Sequence, residues 1–424
     1  MTIFRRKTVS GDEKILLQDV FIPGGNPTYT FVERPDKNLT PSIQQWFKFD
    51  NKLLSVLGPT KSGKTVQIRR AVGDSGVWID GGAVQSEAEF WDFVCDGLDL
   101  ALEKQYVSER NSTVGSEGGL TSFVTATLET IEEFREELTE VRRTSPKVAA
   151  LSGIKDLDVA LIVDDFHYID ASVQASIVRS LKAPVFEGAK IILVTVPHRT
   201  YDAVRVEKEM TGRFSPLGIG LWDQSELEKI AVQGFSKLNC DDTDSRVTKK
   251  LAVESFGNPL LMQDFCQKWC LEQGVVDSEH GRLLEVPTDE FFVNLTKDAA
   301  KSAFDRIVIG PSQRSDRIRR RYISGGGGDI YEAVLRAIAS TGPKLELKYE
   351  EIRFALREIV VADDIPQKQE ITNVLDNMTK ICKEKIDGEP ILEYDREVST
   401  LFIADPFFAY YLKWNESNSA PDGS

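Results

Sequence analysis

Lys64 and Thr65 close the stretch Gly58-Pro59-Thr60-Lys61-Ser62-Gly63-Lys64-Thr65, and its residue types suit one chemistry, the capture of a polyphosphate. Gly58 and Gly63 permit torsions closed to other residues, so successive backbone N–H groups can converge on one anion. A helix starting near Lys64 and running on through Val66 aims the positive end of its dipole at the same place. Lys64 then reaches the terminal phosphates as a point charge, and the Thr65 hydroxyl can hold Mg²⁺. Further along, Asp164 and Asp165 end an apolar run. The first carboxylate suits a cation held through water; the second can orient or deprotonate an attacking water. An Asp at that second position is one methylene shorter than a Glu, which points to a weaker or slower base. Thr195 ends the next apolar run, where it can touch a terminal phosphate or the attacking water, and His198 and Arg199 follow it. Arg213, in Thr211-Gly212-Arg213-Phe214, can stabilise phosphoryl charge on a neighbouring subunit. For these last residues a plain polar turn and an exposed arginine remain equal alternatives.

Such groups need rigid elements to hold them. Residues 53–57 form a short apolar run before the glycine loop, and a helix follows it. A second strand is expected at 76–80, an amphipathic helix at 86–104, a Ser/Gly/Glu loop at 108–119 and a long helix at 121–143. Strands at 159–165, 190–195 and 216–221, with a helix at 172–181 between the first two, complete the alternation. Continuous apolar strands alternating with helices argue for a parallel sheet covered on both faces. Upstream, residues 1–30 read as an extended arm and 40–47 as a helix.

From residue 223 the pattern turns helical, with helices expected at 225–237, 244–256, 259–272 and 289–307. Residues 311–328 read as a linker carrying Arg314, Arg317, Arg319, Arg320 and Arg321 and then four consecutive glycines. Three helices, at 330–340, 348–360 and 366–385, precede strands at 391–394 and 400–404, the order of a winged helix. Residues 415–424 read as a polar tail. The expected domains are therefore an arm (1–30), an α/β core (31–222), a helical lid (223–310), a linker (311–328), a winged helix (329–414) and the tail.

The chain has 424 residues and a formal net charge of −15, which weighs against a main task of coating nucleic acid. Residues 328–424 are themselves net acidic, the wrong sign for phosphate backbones. The arginine cluster is the best candidate for anion contact, set against a solvated linker or a strap on an acidic surface. Five scattered cysteines and three histidines suggest no zinc site and reduced thiols. No apolar run is long enough to span a bilayer and the start lacks a signal-peptide pattern, so a cytoplasmic protein without membrane contact is expected.

The ordered motifs carry a resemblance. The glycine loop matches that of P-loop NTPases, and residues 28–275 resemble an AAA+-type ATPase of the branch shared by Orc/Cdc6-like and STAND NTPases. Asp164-Asp165-Phe166-His167-Tyr168-Ile169-Asp170 is similar to a motif of STAND regulators, and Gly257-Asn258-Pro259 to their GxP turn. The resemblance implies an AAA+/ASCE-type parallel sheet with a helical lid and a C-terminal winged helix. It implies ATP with Mg²⁺ as cofactors. Val32 and Arg34 would lie near adenine, and Pro259 near the base, coupling lid position to nucleotide. Two departures stand out: Pro259-Leu260-Leu261-Met262 replaces the lid arginine usual in AAA+ proteins, while Arg213 lies where they carry an arginine finger. The implied activity is an ATP-binding, slowly hydrolysing switch that self-assembles in its ATP state and acts on a partner protein, as in bacterial regulation or phage defence. The alternatives are a DNA-associated AAA+ ATPase of initiator, loader or transposition-regulator type, and a non-hydrolysing ATP-bound scaffold.

Overall fold

A computed structural model describes residues 14–98, 100, 145–156, 159–196, 212–296, 300–311, 317–386 and 390–417. The loop and helix expected at 108–119 and 121–143, His198, Arg199, Arg314 and the end of the tail lie outside the described residues. The chain divides into two compact units: one of residues 33–59 and 63–220, the other of residues up to Val32, Thr60–Ser62 and Leu221 onward.

The described chain opens in the second of these, the helical unit, with α1 (Leu17–Val20). From residue 14 the expected extended arm is folded: Val20 and Phe21 are fully buried. Phe21 meets Phe235 edge-on at 5.7 Å. A Cβ at Gly234 would lie 2.1 Å from the Phe21 ring, so only glycine lets the aromatic in.

The other unit is an α/β sheet unit. Helix α2 (Leu39–Phe49) leads to β1 (Leu53–Leu57), and α3 (Lys64–Val72), β2 (Gly76–Asp80) and α4 (Glu87–Gly97) follow. After α5 (Pro146–Asp156) come β3 (Ala160–Asp164), α6 (Ala171–Phe186), β4 (Lys190–Thr195) and β5 (Phe214–Gly218). The five strands pair in parallel in the order β2-β3-β4-β1-β5. Strand alternation sorts the side chains. Leu53, Leu161, Val163, Ile191 and Leu193 enter one core with α4, α5 and α6. Leu54, Val56, Ile162, Ile192 and Val194 enter another with α2 and α3. Burial on both faces explains why these strands read as unbroken apolar runs.

Two expectations shift. Strand β5 begins at Phe214 rather than 216 and ends at Gly218. Among the described residues it pairs on one side only, with β1, and an edge strand tolerates Pro216. Helix α6 continues to Phe186 through Pro184, which falls in its last turn.

The rest of the helical unit begins with α7 (Gln224–Lys237), α8 (Arg246–Glu254) and α9 (Pro259–Glu272). The single helix expected at 289–307 is two, α10 (Asp289–Leu295) and α11 (Lys301–Ile309). Ala300, in the left-handed region at φ +51°, precedes the second. The expected linker holds a short hairpin, β6 (Arg320–Arg321) with β7 (Gly327–Gly328). Then come α12 (Ile330–Ser340), β8 (Glu346–Lys348), α13 (Tyr349–Ile359), α14 (Lys368–Lys385), β9 (Leu392–Asp395), β10 (Thr400–Ile403) and α15 (Pro406–Ser417). Strands β8, β10 and β9 form an antiparallel sheet in that order. β8 was not expected; its fully buried Leu347 pairs with Leu401.

Candidate nucleotide site

The parallel register sets the strand ends level. Leu57 pairs with Thr195 on one side and with Gly218 on the other, and Asp80 pairs with Asp164. The carboxyl ends of parallel strands are where α/β sheets bind ligands. Residues 58–63 leave that edge from β1. Gly58 N donates to Thr195 O at 3.3 Å. Lys61 and Gly63 adopt positive φ, +60° and +90°. Gly63 is the N-cap of α3 and offers no side-chain cap to the first helical N–H groups. The N-terminus of a helix, with the positive end of its dipole, suits an anion.

Lys64 is buried, 7% exposed, although it carries a charge. Its ammonium donates to Gly58 O and Pro59 O, both at 2.9 Å, so it lies folded along the loop it serves. Thr65 Oγ1 donates to Asp164 Oδ2 at 2.7 Å. The other oxygen, Oδ1, accepts the Asp165 N–H at 3.1 Å. Asp165 has φ +50°, and its carbonyl comes so near Gly81 that a Cβ there would sit 2.5 Å away. Buried Gln174 ties down the turn after β3 by donating to Phe166 O at 3.1 Å and Ile169 O at 2.7 Å. Thr195, 3% exposed, completes this edge. Arg34 is buried and donates to Gly220 O at 3.2 Å.

Arg213 is elsewhere. Phe214 pairs with Leu53, and Arg213 O accepts the Leu53 N–H at 2.9 Å, so it lies at the start of β1 and the glycine loop at its end. A strand of this length separates them by about 17 Å. Its guanidinium lies 5.5 Å from the ring of exposed Phe186.

The tip of the loop, Thr60–Ser62, belongs to the helical unit. Trp222 Nε1 donates to Ser62 O at 2.9 Å and Asn258 Nδ2 to Lys61 O at 3.2 Å. Pro259 is the first residue of α9, and Asn258 caps that helix by accepting from Leu260 N at 2.9 Å and Leu261 N at 3.1 Å. Of the Gly257-Asn258-Pro259 turn, it is Asn258 that reaches the loop tip. An Asn before a proline is a helix-start signal and could have drawn attention to it; nothing in the sequence singles out Trp222. Val32 packs with Trp222 in the core of the helical unit.

Three arginines of the expected linker are paired with carboxylates. Arg317 pairs with Asp329 at 2.5 Å, Arg320 with Glu370 at 2.7 Å and Arg321 with Asp364 at 2.8 Å. Among the described residues no group of three His, Cys, Asp or Glu could hold a metal ion, and no helix is long and apolar enough to cross a membrane.

No protein-family profile and no curated protein sequence matches this chain. Solved structures do. Cdc6p from Pyrobaculum aerophilum is 11% identical over 96% of this chain and 100% of its own, with a TM-score of 0.40. A Walker-type ATPase of Pyrococcus abyssi is 16% identical over 90% and 96%, with a TM-score of 0.48. The ADP form of the Aeropyrum pernix ORC2 protein is 11% identical over 95% and 98%, with a TM-score of 0.46. The fold is fixed by the chain's own strand order and loop: a parallel α/β sheet of P-loop NTPase type, as expected.

ATP and Mg²⁺ fit the residues present. The uncapped start of α3 and buried Lys64 suit phosphates, and the Thr65–Asp164 pair suits a hard cation. In the loop itself the Ser62 hydroxyl is buried, 1% exposed, without a hydrogen-bond partner among the described residues.

Proposed function

We propose that the chain is an AAA+-type ATPase working as a nucleotide-controlled switch. The observation that carries this is the 2.7 Å bond from Thr65 to Asp164, which joins the helix start after the glycine loop to an acidic strand end. In this reading Lys64 neutralises the phosphates, Thr65 ligates Mg²⁺ and Asp164 holds it through water. Residues 58–66 wrap the phosphates, Val32, Arg34, Arg199 and Pro259 contribute to the nucleotide pocket, and Asp165 and Thr195 orient the attacking water. Arg213 serves a neighbouring copy, because it lies at the far end of its own sheet from its own loop. Self-assembly in the ATP state and an output through a partner protein belong to this proposal. The test is ATP binding and phosphate release with and without Mg²⁺, in the wild type and in Asp164→Asn. Mg²⁺-dependent hydrolysis lost in the variant supports the reading; Mg²⁺-independent binding and no phosphate release in either would favour a scaffold.

One observation favours a second reading. The order α12, β8, α13, α14, β9, β10 matches the one expected of a winged helix, a module that often reads DNA. The pairing of Arg317, Arg320 and Arg321 with carboxylates weighs the other way. Salt-sensitive, ATP-stimulated binding to duplex DNA would decide for the DNA-associated ATPase.

A further inference from the structure

Lys61, at the loop tip, has a partner from the far end of the chain within its own unit. Its ammonium lies 3.2 Å from Asp405 Oδ1 and 4.5 Å from the Phe407 ring centroid. The same Oδ1 accepts the Phe407 N–H at 3.0 Å, so the carboxylate that meets Lys61 also caps α15. That helix is firmly seated. Tyr410 donates to Phe292 O. Lys413 reaches both oxygens of buried Glu254 at 2.8 Å, and Trp414 Nε1 donates to Glu254 at 2.9 Å. Trp414 also stacks on Phe292 at 5.1 Å. Asp405 is therefore presented by a fixed element, not by a loose tail.

The loop side is equally constrained. Lys61 holds φ +60°, uncommon for a residue with a side chain. Its carbonyl accepts from Asn258. A lysine at this point of a phosphate loop is a natural counter-ion for a bound polyphosphate. An ammonium already neutralised by a carboxylate is a poorer one.

We infer that Lys61–Asp405 is an autoinhibitory contact in which Asp405 competes with the phosphates of a nucleoside triphosphate for the Lys61 ammonium. Asp405 is thus a positioning residue for the loop, and occupation of the site by a triphosphate draws Lys61 off the start of α15. The inference rests on residues 58–65 being a phosphate loop.

The side chains are 35% and 24% exposed, so the pair is partly screened. Its loss is worth a change of about 2- to 5-fold in affinity. Asp405→Asn is the informative variant, because Asn caps helices as well as Asp and leaves α15 its start. We expect Asp405→Asn to bind Mg-ATP about 2- to 5-fold tighter by titration calorimetry. In a Lys61→Met background the same change should have no effect, since the competitor has lost its target. Hydrogen exchange at 405–409 should rise when a non-hydrolysable ATP analogue is added to the wild type. Unchanged or weaker binding by Asp405→Asn, or an equal gain in the Lys61→Met background, overturns the contact's role. Lys64→Ala, run alongside, separates the two failures. If it abolishes binding while Asp405→Asn gains nothing, only the autoinhibition is wrong. If it binds normally, the phosphate-loop reading falls and the inference with it.

Discussion

Replacing Lys64 with Ala removes a charge and a buried stem together, and the two effects are separable. Lys64 is 7% exposed, and its ammonium donates to Gly58 O and Pro59 O at 2.9 Å. For binding, unit charges about 4 Å apart at an effective dielectric near 20 attract by about 4 kcal/mol. Desolvation of the ammonium and the phosphate takes back part of this. A net loss of about 2–3 kcal/mol remains, or roughly 30- to 150-fold in ATP affinity. For folding, hydrogen bonds from a charged donor contribute about 1.5–3 kcal/mol each before water replaces them. Pro59 is only half-buried, so water can take over that carbonyl, and the expected net destabilisation is about 1–3 kcal/mol. Lys64→Met restores most of the buried stem without the charge. It should recover part of the lost stability and none of the lost affinity. Calorimetric titration with Mg-ATP and thermal unfolding of the wild type and both variants resolve the terms. A folded Lys64→Ala protein whose ATP affinity stays within about 3-fold of wild type would refute the reasoning, because no phosphate-bound ammonium is worth so little.

Three further outcomes follow from other sites. Glu87 accepts from Ser176, from Ser180 at 2.8 Å, from Lys147 at 2.9 Å and from Trp91 at 3.2 Å, binding α4 to α5 and α6. These partners, Ser176 foremost, hold its carboxyl down at about 2 against an ordinary 4.5. The depressed value stabilises the fold above pH 4.5, and the benefit fades as pH falls toward 2. Glu87→Gln should therefore cost about 1–3 kcal/mol at pH 7 by denaturant titration and less at pH 3.5; an equal cost at both would sink the assignment. The half-buried Cys240 thiol is lowered below its ordinary value by the Cys270 thiol foremost and by Arg282, whereas burial pushes Cys382 up to about 11. Iodoacetamide should label Cys240 first, with a rate midpoint that lies below that of an ordinary thiol and rises in Cys270→Ala. Mass spectrometry showing Cys382 labelled as fast would contradict this. Arg213→Ala should lower hydrolysis about 100-fold or more in an assembled preparation and spare ATP binding by the isolated subunit; an equal loss in a demonstrated monomer would argue against action in trans.

The parts of the site visible in the sequence are those whose chemistry demands local spacing. Gly58, Gly63, Lys64 and Thr65 must be neighbours to wrap one phosphate, and Asp164 must end a buried strand, so strand, loop and acidic edge were legible from periodicity and residue type. Helix α9 matches its expected bounds because Asn258-Pro259 is a start signal. Elements without a period were not legible. Glu346-Leu347-Lys348 is too short to show alternation, and it exists because β10 supplies the pairing partner. Helix α5 has only a weak apolar stripe and so shows no helical period, although Pro146 stands at its first position. The arginines of 317–321 read as a charged linker because their carboxylate partners, Asp329, Asp364 and Glu370, lie on other elements. The same holds most strongly for the loop tip. Lys61 belongs to the expected phosphate loop, but its carboxylate partner is 344 positions away and shares no pattern with it. Local spacing thus specifies what the loop can bind. The charge partner of Lys61 is set by the long-range packing of α15, which no local pattern encodes.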